Sequence, residues 1–228
     1  SWIGIAWLSP FLGGLLYAIM GVNRVKRRAK RLRREHLPPV AGSSATAVSD
    51  PLTPLEFAIG HLTGRPSAAG NTIEMLRSGD EAYPRMLEAI GQAQKSVGLC
   101  SYIFRADAAG EKFHQALIEA KRRGVEVRVL IDGIGGGYFW SGTYQHLRKA
   151  GVPVARFLHS YFPWQMPFVN LRNHRKLLVI DGKLAFTGGL NIGAENVEAA
   201  KPEHLVRDTH FRVEGPVVEQ LTDAFADD

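Results

Sequence analysis

Cysteine is almost absent from this chain of 228 residues, in which Cys100 is the single example. One thiol excludes an intramolecular disulfide framework, so a packed apolar core has to stabilise the fold. Cys100 itself lies in an apolar stretch, which predicts a buried core thiol rather than a reactive one. With 45% hydrophobic residues, the chain is long enough for one domain-sized core and a smaller element.

Charge is absent from residues 2–22, and acidic residues are absent from residues 24–34, which contain eight basic ones. Removing these eight charges from the formal net charge of +6 leaves −2 for the rest of the chain. About 20 apolar residues followed by cations predict a transmembrane helix over residues 1–22 and a basic juxtamembrane segment over 23–35. A cleaved signal peptide has the opposite order of charge, whereas a buried core helix stays open as an alternative. The positive-inside rule makes the rest of the chain cytoplasmic.

The composition changes again at residues 36–70, where Pro, Gly and Ser predict a linker with one short helix from Thr53 to about Leu62. From Asn71 onward, apolar segments alternate with amphipathic ones, which predicts an α/β domain over residues 71–228. The predicted strands are residues 72–76, 96–104, 125–131, 153–158, 177–180, 183–187 and 207–213. The predicted helices are residues 81–95, 111–123, 143–150 and 217–228.

Two loops of the predicted domain have unusual compositions. Residues 132–140 follow a buried strand and are rich in glycine, so their amides are candidates for binding a phosphate, although the spacing is not that of a nucleotide-binding loop. Residues 159–169 are rich in aromatic side chains. They are interpreted either as a lid over the core or as a surface that meets lipid, and both interpretations stay open.

Residues 173–191 concentrate the candidate catalytic groups. His174 and Lys176 are two residues apart next to a predicted strand, so their side chains project from the same face. Asp181 and Gly182 predict a two-residue hairpin turn, which brings Asn191 back towards His174. The predicted pairs across the hairpin are Ile180 with Lys183, Lys176 with Thr187, and His174 with Gly189.

These residue types suit phosphate chemistry. A neutral His174 can attack phosphorus to form a phosphohistidine, while Lys176, the Asn191 side chain and the amides of Gly188 and Gly189 bind the phosphate oxygens. Peptide chemistry would instead need a serine or cysteine partner. The spacing of the remaining histidines, His204 and His210 among them, matches no zinc site, so no metal or other cofactor is predicted.

The carboxylates receive different predicted roles. Asp181 is kept among the candidate catalytic residues, but seven strand residues at ~3.3 Å each separate it from His174 by roughly 23 Å. It is therefore predicted to stabilise the turn. Asp208 is the first candidate for the carboxylate that orients His174, and Glu195 is the second.

The pattern His-x-Lys-x4-Asp-x6-Gly-Gly-x-Asn resembles the HKD motif of the phospholipase D superfamily, and the chain resembles the N-terminal half of a bacterial cardiolipin synthase. Residues 102–104, 123–133, 170–176 and 207–210 carry the rest of the resemblance. It implies a phospholipase D-like mixed sheet flanked by helices, after the transmembrane helix. It also implies transfer of a phosphatidyl group between two phosphatidylglycerol molecules, giving cardiolipin and glycerol at the inner membrane, with His174 as nucleophile or general acid and Asp208 as its partner.

A second His-x-Lys pattern is absent, whereas members of this superfamily bring two such motifs together. We therefore expect a fragment, the first half of a longer enzyme, which meets its second half in cis or as a dimer. A single-motif homodimeric phosphodiesterase or nuclease and an inactive remnant are the alternatives. The expected partners are phosphatidylglycerol, the membrane and the second HKD half. The charge of −2 beyond the basic run argues against nucleic acid.

Overall fold

The structure, a computed structural model, describes Phe11 and residues 52–137, 139–159 and 172–227. Apart from Phe11 and His159, the predicted span over residues 1–22, the basic segment 23–35 and the aromatic segment 159–169 lie outside these residues. Within the described ranges, no helix has the length and apolar character needed to cross a bilayer.

The first helix, α1, runs over Thr53–Thr63 and belongs to a unit formed by Ser1–Ser67 and Phe162–Val169. Pro54 stands in its first turn, where a missing N–H costs nothing. The helix ends at Gly64, whose φ of 69° is the left-handed conformation that glycine adopts without strain. The predicted short helix is therefore confirmed, and none of its residues is buried.

The second unit, Ala68–Tyr161 with Asn170–Asp228, contains a seven-stranded mixed sheet in the order β1-β7-β6-β5-β2-β3-β4. Strands β2, β3 and β4 are parallel to one another, and the other pairs are antiparallel. The strands are β1 Thr72–Arg77, β2 Ser96–Ser101, β3 Glu126–Asp132, β4 Val154–Phe157, β5 Leu177–Ile180, β6 Leu184–Gly188 and β7 Thr209–Glu214. The helices are α2 Ser78–Gln92, α3 Ala108–Arg122, α4 Gly142–Lys149 and α5 Val217–Ala226.

Helices cover both faces of this sheet. The larger core packs α2 and α3 on one face around residues such as Phe113 and Phe186, which are fully buried. The smaller core packs α5 on the other face, where Cys100 is 1% exposed. The α/β fold and the buried thiol were both predicted, because each follows from local apolar patterns.

Two helices begin three residues earlier than their sequence patterns suggested, at Ser78 and Ala108. For α3 the reason is a capping side chain: the Asp107 carboxylate accepts the N–H groups of Ala109 and Gly110 at 3.1 and 2.9 Å. Strand β2 ends at Ser101 rather than at residue 104, where Phe104 forms only an isolated bridge with Ile192.

The β5–β6 hairpin forms with a register that differs by one residue from the prediction. Ile180 pairs with Leu184, not with Lys183. Asp181 and Gly182 both have positive φ, and the Lys183 N–H donates to the Ile180 carbonyl at 2.9 Å, so the predicted tight turn exists. Lys183 is nevertheless an extra loop residue, and the first pair at the open end is Leu177 with Thr187.

Candidate active site

His174 and Lys176 form the centre of the candidate site, in the extended segment before β5. His174 is exposed, whereas Lys176 is only 5% exposed. The Lys176 ammonium lies 2.9 Å from His174 Nδ1 and donates to the His174 carbonyl, also at 2.9 Å. An exposed histidine is thus held beside a buried cation, a pair of groups suited to phosphate chemistry.

Tyr102, which follows β2, supports this pair. Its ring centroid lies 4.6 Å from that of His174, and the Lys176 ammonium lies 5.2 Å from the Tyr102 centroid. The electron-rich face of the ring stabilises a cation at that distance. A side chain at Gly135 would collide with the carbonyl and ring of Tyr102, so the glycine allows the loop after β3 to support the tyrosine.

Asp132, at the end of β3, organises the glycine-rich loop from inside. Its carboxylate is buried and accepts the N–H groups of Ile134 and Gly135 at 2.8 and 2.9 Å. It also accepts the Asn173 N–H at 2.9 Å, which fixes the backbone immediately before His174. These loop amides therefore bind an internal carboxylate rather than a phosphate, in contrast to the role suggested by sequence.

Asn191 is held where the chain leaves β6. Its Oδ1 accepts the Ile103 N–H at 3.1 Å, next to Tyr102, and its carbonyl accepts the Tyr83 hydroxyl at 2.7 Å. Burial raises the pKa of Tyr83, so this hydroxyl stays protonated and donates. Within the described ranges the Asn191 Nδ2 makes no hydrogen bond, so the amide N–H groups are available to a ligand.

The two glycines are placed by Asp208 and its neighbours. The Gly189 N–H donates to the Thr209 carbonyl at 2.9 Å in this structure, and binding of a phosphate by this amide stays a prediction. A Cβ at Gly189 would overlap the Asp208 carboxylate, which occupies the space of the missing side chain. The absence of a side chain at Gly189 allows this close approach.

Asp208 lies near enough to Lys176 to act on it by its charge, and among the described residues it makes no hydrogen bond to His174. Its Oδ1 accepts the Thr209 N–H at 2.7 Å, and in the described part of the chain the His174 ring hydrogen-bonds only to Lys176. Burial lowers the pKa of Lys176, and the negative charge of Asp208 opposes that shift. The second candidate, Glu195, accepts from Arg105 Nε at 2.8 Å.

Asp181 is not brought to the site. Its carboxylate accepts the N–H groups of three successive residues before and at the start of β2: Gln94 at 3.0 Å, Lys95 at 2.7 Å and Ser96 at 2.8 Å. The Asp181 N–H donates to the Ser96 carbonyl at 2.9 Å. Asp181 therefore ties the hairpin turn to the neighbouring strand, which agrees with a structural role at the turn and not with a contact to His174.

His210 lies near the site, although it was excluded as a zinc ligand from its sequence spacing and received no role beyond its place in the resemblance. It is 1% exposed and pairs with Gly188 across β6 and β7. Burial and the charge of Lys176 lower its pKa to about 4, against the opposing effect of Asp208, so the ring is neutral at physiological pH. Its position two residues after Asp208, in an alternating strand, was the sequence signal that could have indicated it.

One group of donor atoms in the described residues fits a metal ion: those of Glu111, His114 and His146 lie within 4.8 Å of one another. This group is on α3 and α4, away from the HKD residues. His114 is fully buried, and its two nitrogens already contact Glu111 and Thr143, each at 3.1 Å. Hydrogen bonds among protein groups account for the cluster, so it gives no reason to revise the prediction of metal-free chemistry.

A cavity of about 270 Å³ lies between α2, α3 and the 3-10 turns Ala194–Asn196 and Glu198–Ala200. Its lining is mostly apolar and includes Tyr83, whose hydroxyl also holds Asn191. The lining includes none of the candidate catalytic residues. The cavity is therefore separate from the predicted catalytic residues.

Comparison with known sequences gives a consistent result. Residues 86–228 match the family described as cardiolipin synthase, PLD-like domain. Cardiolipin synthase 1 of Bacillus anthracis is 33% identical over 238 residues, which cover 100% of this chain and 47% of that protein. Cardiolipin synthase A of Pseudomonas aeruginosa is 31% identical over 240 residues, which cover 98% of this chain and 49% of that protein. The chain thus spans about half the length of the curated relatives it matches.

Solved structures resemble the fold. The phospholipase D family member Nuc from Salmonella typhimurium superposes with a TM-score of 0.53 and 23% identity, covering 69% of this chain and 93% of Nuc. NucT from Helicobacter pylori gives a TM-score of 0.51 and 16% identity, covering 69% of this chain and 92% of NucT. These similarities confirm the predicted mixed sheet flanked by helices.

Proposed function

Because the chain belongs to the cardiolipin synthase family of phospholipase D-like domains, we propose that it carries half of the active site of a phosphatidyltransferase. The observation that carries the proposal is the exposed ring of His174 beside the buried ammonium of Lys176, 2.9 Å from Nδ1. The proposed reaction converts two phosphatidylglycerol molecules into cardiolipin and glycerol, with no metal or nucleotide.

The first step is attack by a neutral nitrogen of His174 on the phosphorus of one phosphatidylglycerol. A nitrogen–phosphorus bond forms, the bond from phosphorus to the headgroup glycerol oxygen breaks, and the leaving glycerol takes a proton from a general acid. The Lys176 ammonium and the Asn191 amide N–H groups bind the non-bridging oxygens, whose charge grows in the transition state. The product is a phosphatidyl group on His174.

The second step transfers this group to a hydroxyl of another phosphatidylglycerol. The general acid, now deprotonated, takes the proton of that hydroxyl, whose oxygen attacks phosphorus. The nitrogen–phosphorus bond breaks, which releases cardiolipin and restores neutral His174. The lipid hydroxyl has to compete with water, so the pocket that excludes water decides between transfer and hydrolysis.

The general acid has to come from outside this chain's own HKD residues. The chain has a single His-x-Lys pattern and spans about half of its curated relatives. We propose that a second HKD half supplies the acid histidine, in cis within a longer enzyme or in trans from a second copy.

The lipid substrate places the proposed reaction at a membrane surface. The charge-free residues 2–22 and the basic residues 24–34 support a site at the cytoplasmic face of a bacterial inner membrane. Cations next to a membrane attract anionic headgroups, and phosphatidylglycerol is anionic.

The decisive test is a trapping experiment with the full-length enzyme in phosphatidylglycerol vesicles. A lipid labelled in its phosphatidyl group should label the wild-type protein after rapid quenching, as a phosphoramidate that acid cleaves. His174→Ala should abolish both the label and cardiolipin formation without changing the melting temperature. The matched control is His204→Ala, since His204 is an exposed histidine outside the site and its removal should change neither.

Two results would contradict this proposal. Label retained by His174→Ala would mean that another residue is the nucleophile. Cleavage of DNA without turnover of lipid would assign the site to a nuclease. Sedimentation adds a separate test, since cardiolipin formed by this chain as a strict monomer would overturn the requirement for a second histidine.

A further inference from the structure

We propose that His210 is a positioning residue of this active site: it provides the acceptor that holds the Lys176 ammonium when His174 is free to react. The proposal deepens the function above and rests on it in one respect, namely that a phosphodiester binds at His174. No metal or further cofactor is involved.

The first observation is that His210 is buried without hydrogen bonds. It is 1% exposed, and in the described part of the chain neither Nδ1 nor Nε2 has a partner. A buried polar group that lacks a partner costs about 1–3 kcal/mol, so such groups are rare in native proteins. An imidazole kept in that condition beside a catalytic site indicates a partner that arrives during the reaction.

The second observation is a row of three residues across neighbouring strands. His210 is paired with Gly188, and the next step of the register after Leu177 and Thr187 sets Gly188 beside Lys176. Residues opposite each other project from the same face of a sheet. Gly188 has no side chain, and a Cβ there would lie 2.9 Å from His210 Nδ1. The imidazole and the lysine therefore lie on the same face of the sheet, on either side of a residue that has no side chain.

The third observation is that the Lys176 ammonium hydrogen-bonds to the His174 ring in this structure. Its ammonium lies 2.9 Å from Nδ1 and 3.3 Å from Nε2 of that ring. A lone pair that accepts a hydrogen bond cannot attack phosphorus at the same time. Lys176 has to move its N–H groups to the phosphate, and a buried ammonium needs acceptors on its other side.

His210 fits that requirement because its ring is neutral. One ring nitrogen carries a lone pair for a Lys176 N–H, and the other carries a proton for the Asp208 carboxylate. The charges of Lys176 and Asp208 both act on His210, so both groups lie in its neighbourhood. This series of hydrogen bonds, from Lys176 to His210 and from His210 to Asp208, would then hold the ammonium in one orientation at the phosphate.

His114 provides a matched control. It is the other fully buried histidine in the described residues, but both of its nitrogens have partners, Glu111 and Thr143. Removing its ring should destabilise the fold and leave the chemistry intact. Removing the ring of His210 should leave the fold stable and impair the chemistry.

The test compares His210→Leu, His210→Gln and His114→Leu in the full-length enzyme, with phosphatidylglycerol vesicles and with bis(p-nitrophenyl) phosphate as substrates. We expect His210→Leu to lower kcat about 100-fold with little change in KM, because a misdirected ammonium affects the transition state most. The melting temperature should not fall. His210→Gln, whose amide can accept and donate, should recover at least about a tenth of wild-type kcat.

The pH profile separates positioning from packing. The groups that surround Lys176 are His174, Tyr102, Cys100, Asp208 and His210. An acceptor favours the charged form of lysine, so its loss in His210→Leu should move the alkaline limb of kcat to lower pH. A purely structural role predicts an unchanged limb in the molecules that remain folded.

Wild-type kcat and an unmoved alkaline limb in His210→Leu, at an equal melting temperature, would overturn the proposal. If that variant fails to fold, His210→Phe, which also lacks an acceptor but keeps a ring of similar size, decides by the same two readouts: a wild-type limb with activity lost only in proportion to unfolding also overturns the proposal. Failure of the lipid reaction looks different. A wild-type enzyme that cleaves bis(p-nitrophenyl) phosphate but makes no cardiolipin would refute the lipid substrate. The His210 variants could still be compared with the wild type on bis(p-nitrophenyl) phosphate.

Discussion

At the turn of the β5–β6 hairpin, the Asp181 carboxylate accepts three backbone N–H groups, whereas at the open end the ring of His210 accepts and donates nothing within the described residues. The turn end is saturated with hydrogen bonds and links two strands. The open end holds the buried Lys176 beside the exposed His174. Next to it, on β7, His210 has no hydrogen-bond partner among the described residues. In the proposed function, the turn of this hairpin stabilises the fold, while its open end and the adjoining β7 carry the chemistry.

The largest expected effect comes from removing the cation at the open end. Lys176→Met should lower kcat about 1000-fold, because the phosphate oxygens lose a charged donor in the transition state. The free energy of unfolding should stay equal or rise, since a buried ammonium is replaced by an apolar side chain of similar length. Steady-state kinetics and urea unfolding of the full-length enzyme measure the two effects.

The control for that variant lies at the other end of the hairpin. Lys183→Met removes an exposed lysine of the turn and should change neither kcat nor stability. If Lys176→Met turned over at the wild-type rate, Lys176 would have no part in the chemistry and the contrast between the two ends would collapse.

The next effect tests the saturated end. Asp181→Ala should lower the free energy of unfolding by about 3 kcal/mol at pH 7, because three backbone N–H groups lose a charged acceptor. Burial alone would raise the pKa of Asp181, but the N–H groups of Gln94, Ser96 and Lys95 lower it below its usual range. The carboxylate therefore stabilises the fold fully above the unfolded-chain pKa of about 3.9, and this advantage is lost as the pH falls through the lower folded-state value.

Urea unfolding of the wild type and Asp181→Ala at several pH values checks this prediction. The difference between them should shrink on acidification below about pH 4, and kcat per folded molecule at pH 7 should be retained. A stable Asp181→Ala protein with greatly reduced kcat would instead restore Asp181 to the catalytic group.

The smallest effect concerns Gly189. Gly189→Ser places a side chain where the Asp208 carboxylate now lies, so we expect displacement of Asp208 and a loss of about tenfold in kcat. Gly91→Ser is the matched control, because a Cβ at Gly91 meets nothing within 4 Å. Equal activity of the two variants would show that the position of Asp208 has no influence on turnover.

The fold was predictable to the extent that it depends on local patterns. The alternation of apolar and amphipathic segments predicted the α/β domain. The Asp181–Gly182 pair predicted the place of the hairpin turn, but the loop has three residues where two were predicted. The prediction that the His174 and Lys176 side chains project from the same face was correct, because residues two apart in one extended segment do so. The early start of α3 was missed, since the carboxylate of Asp107 that caps it was not recognised.

The remaining differences concern contacts between distant segments. Asp132 binds the Asn173 N–H across 41 positions, and Asp181 binds residues more than 80 positions away. Nothing in a local pattern distinguishes a carboxylate that anchors a backbone from one that orients a histidine. The same limit explains why His210, whose pairing with Gly188 depends on the register of β6 and β7, received no role beyond its place in the resemblance.

The three-residue loop at the end of the hairpin has a consequence for protein engineering. Because strand side chains alternate with a period of two, the number of residues in the loop decides which residue of β6 stands next to Lys176. If Lys183 were deleted and the loop kept its three residues, Ile180 would become a loop residue and Thr187 would stand beside Lys176 in place of Gly188, so that the residue next to the lysine would carry a side chain. In a redesigned hairpin, the length of this distant loop would have to be conserved as strictly as the catalytic residues themselves.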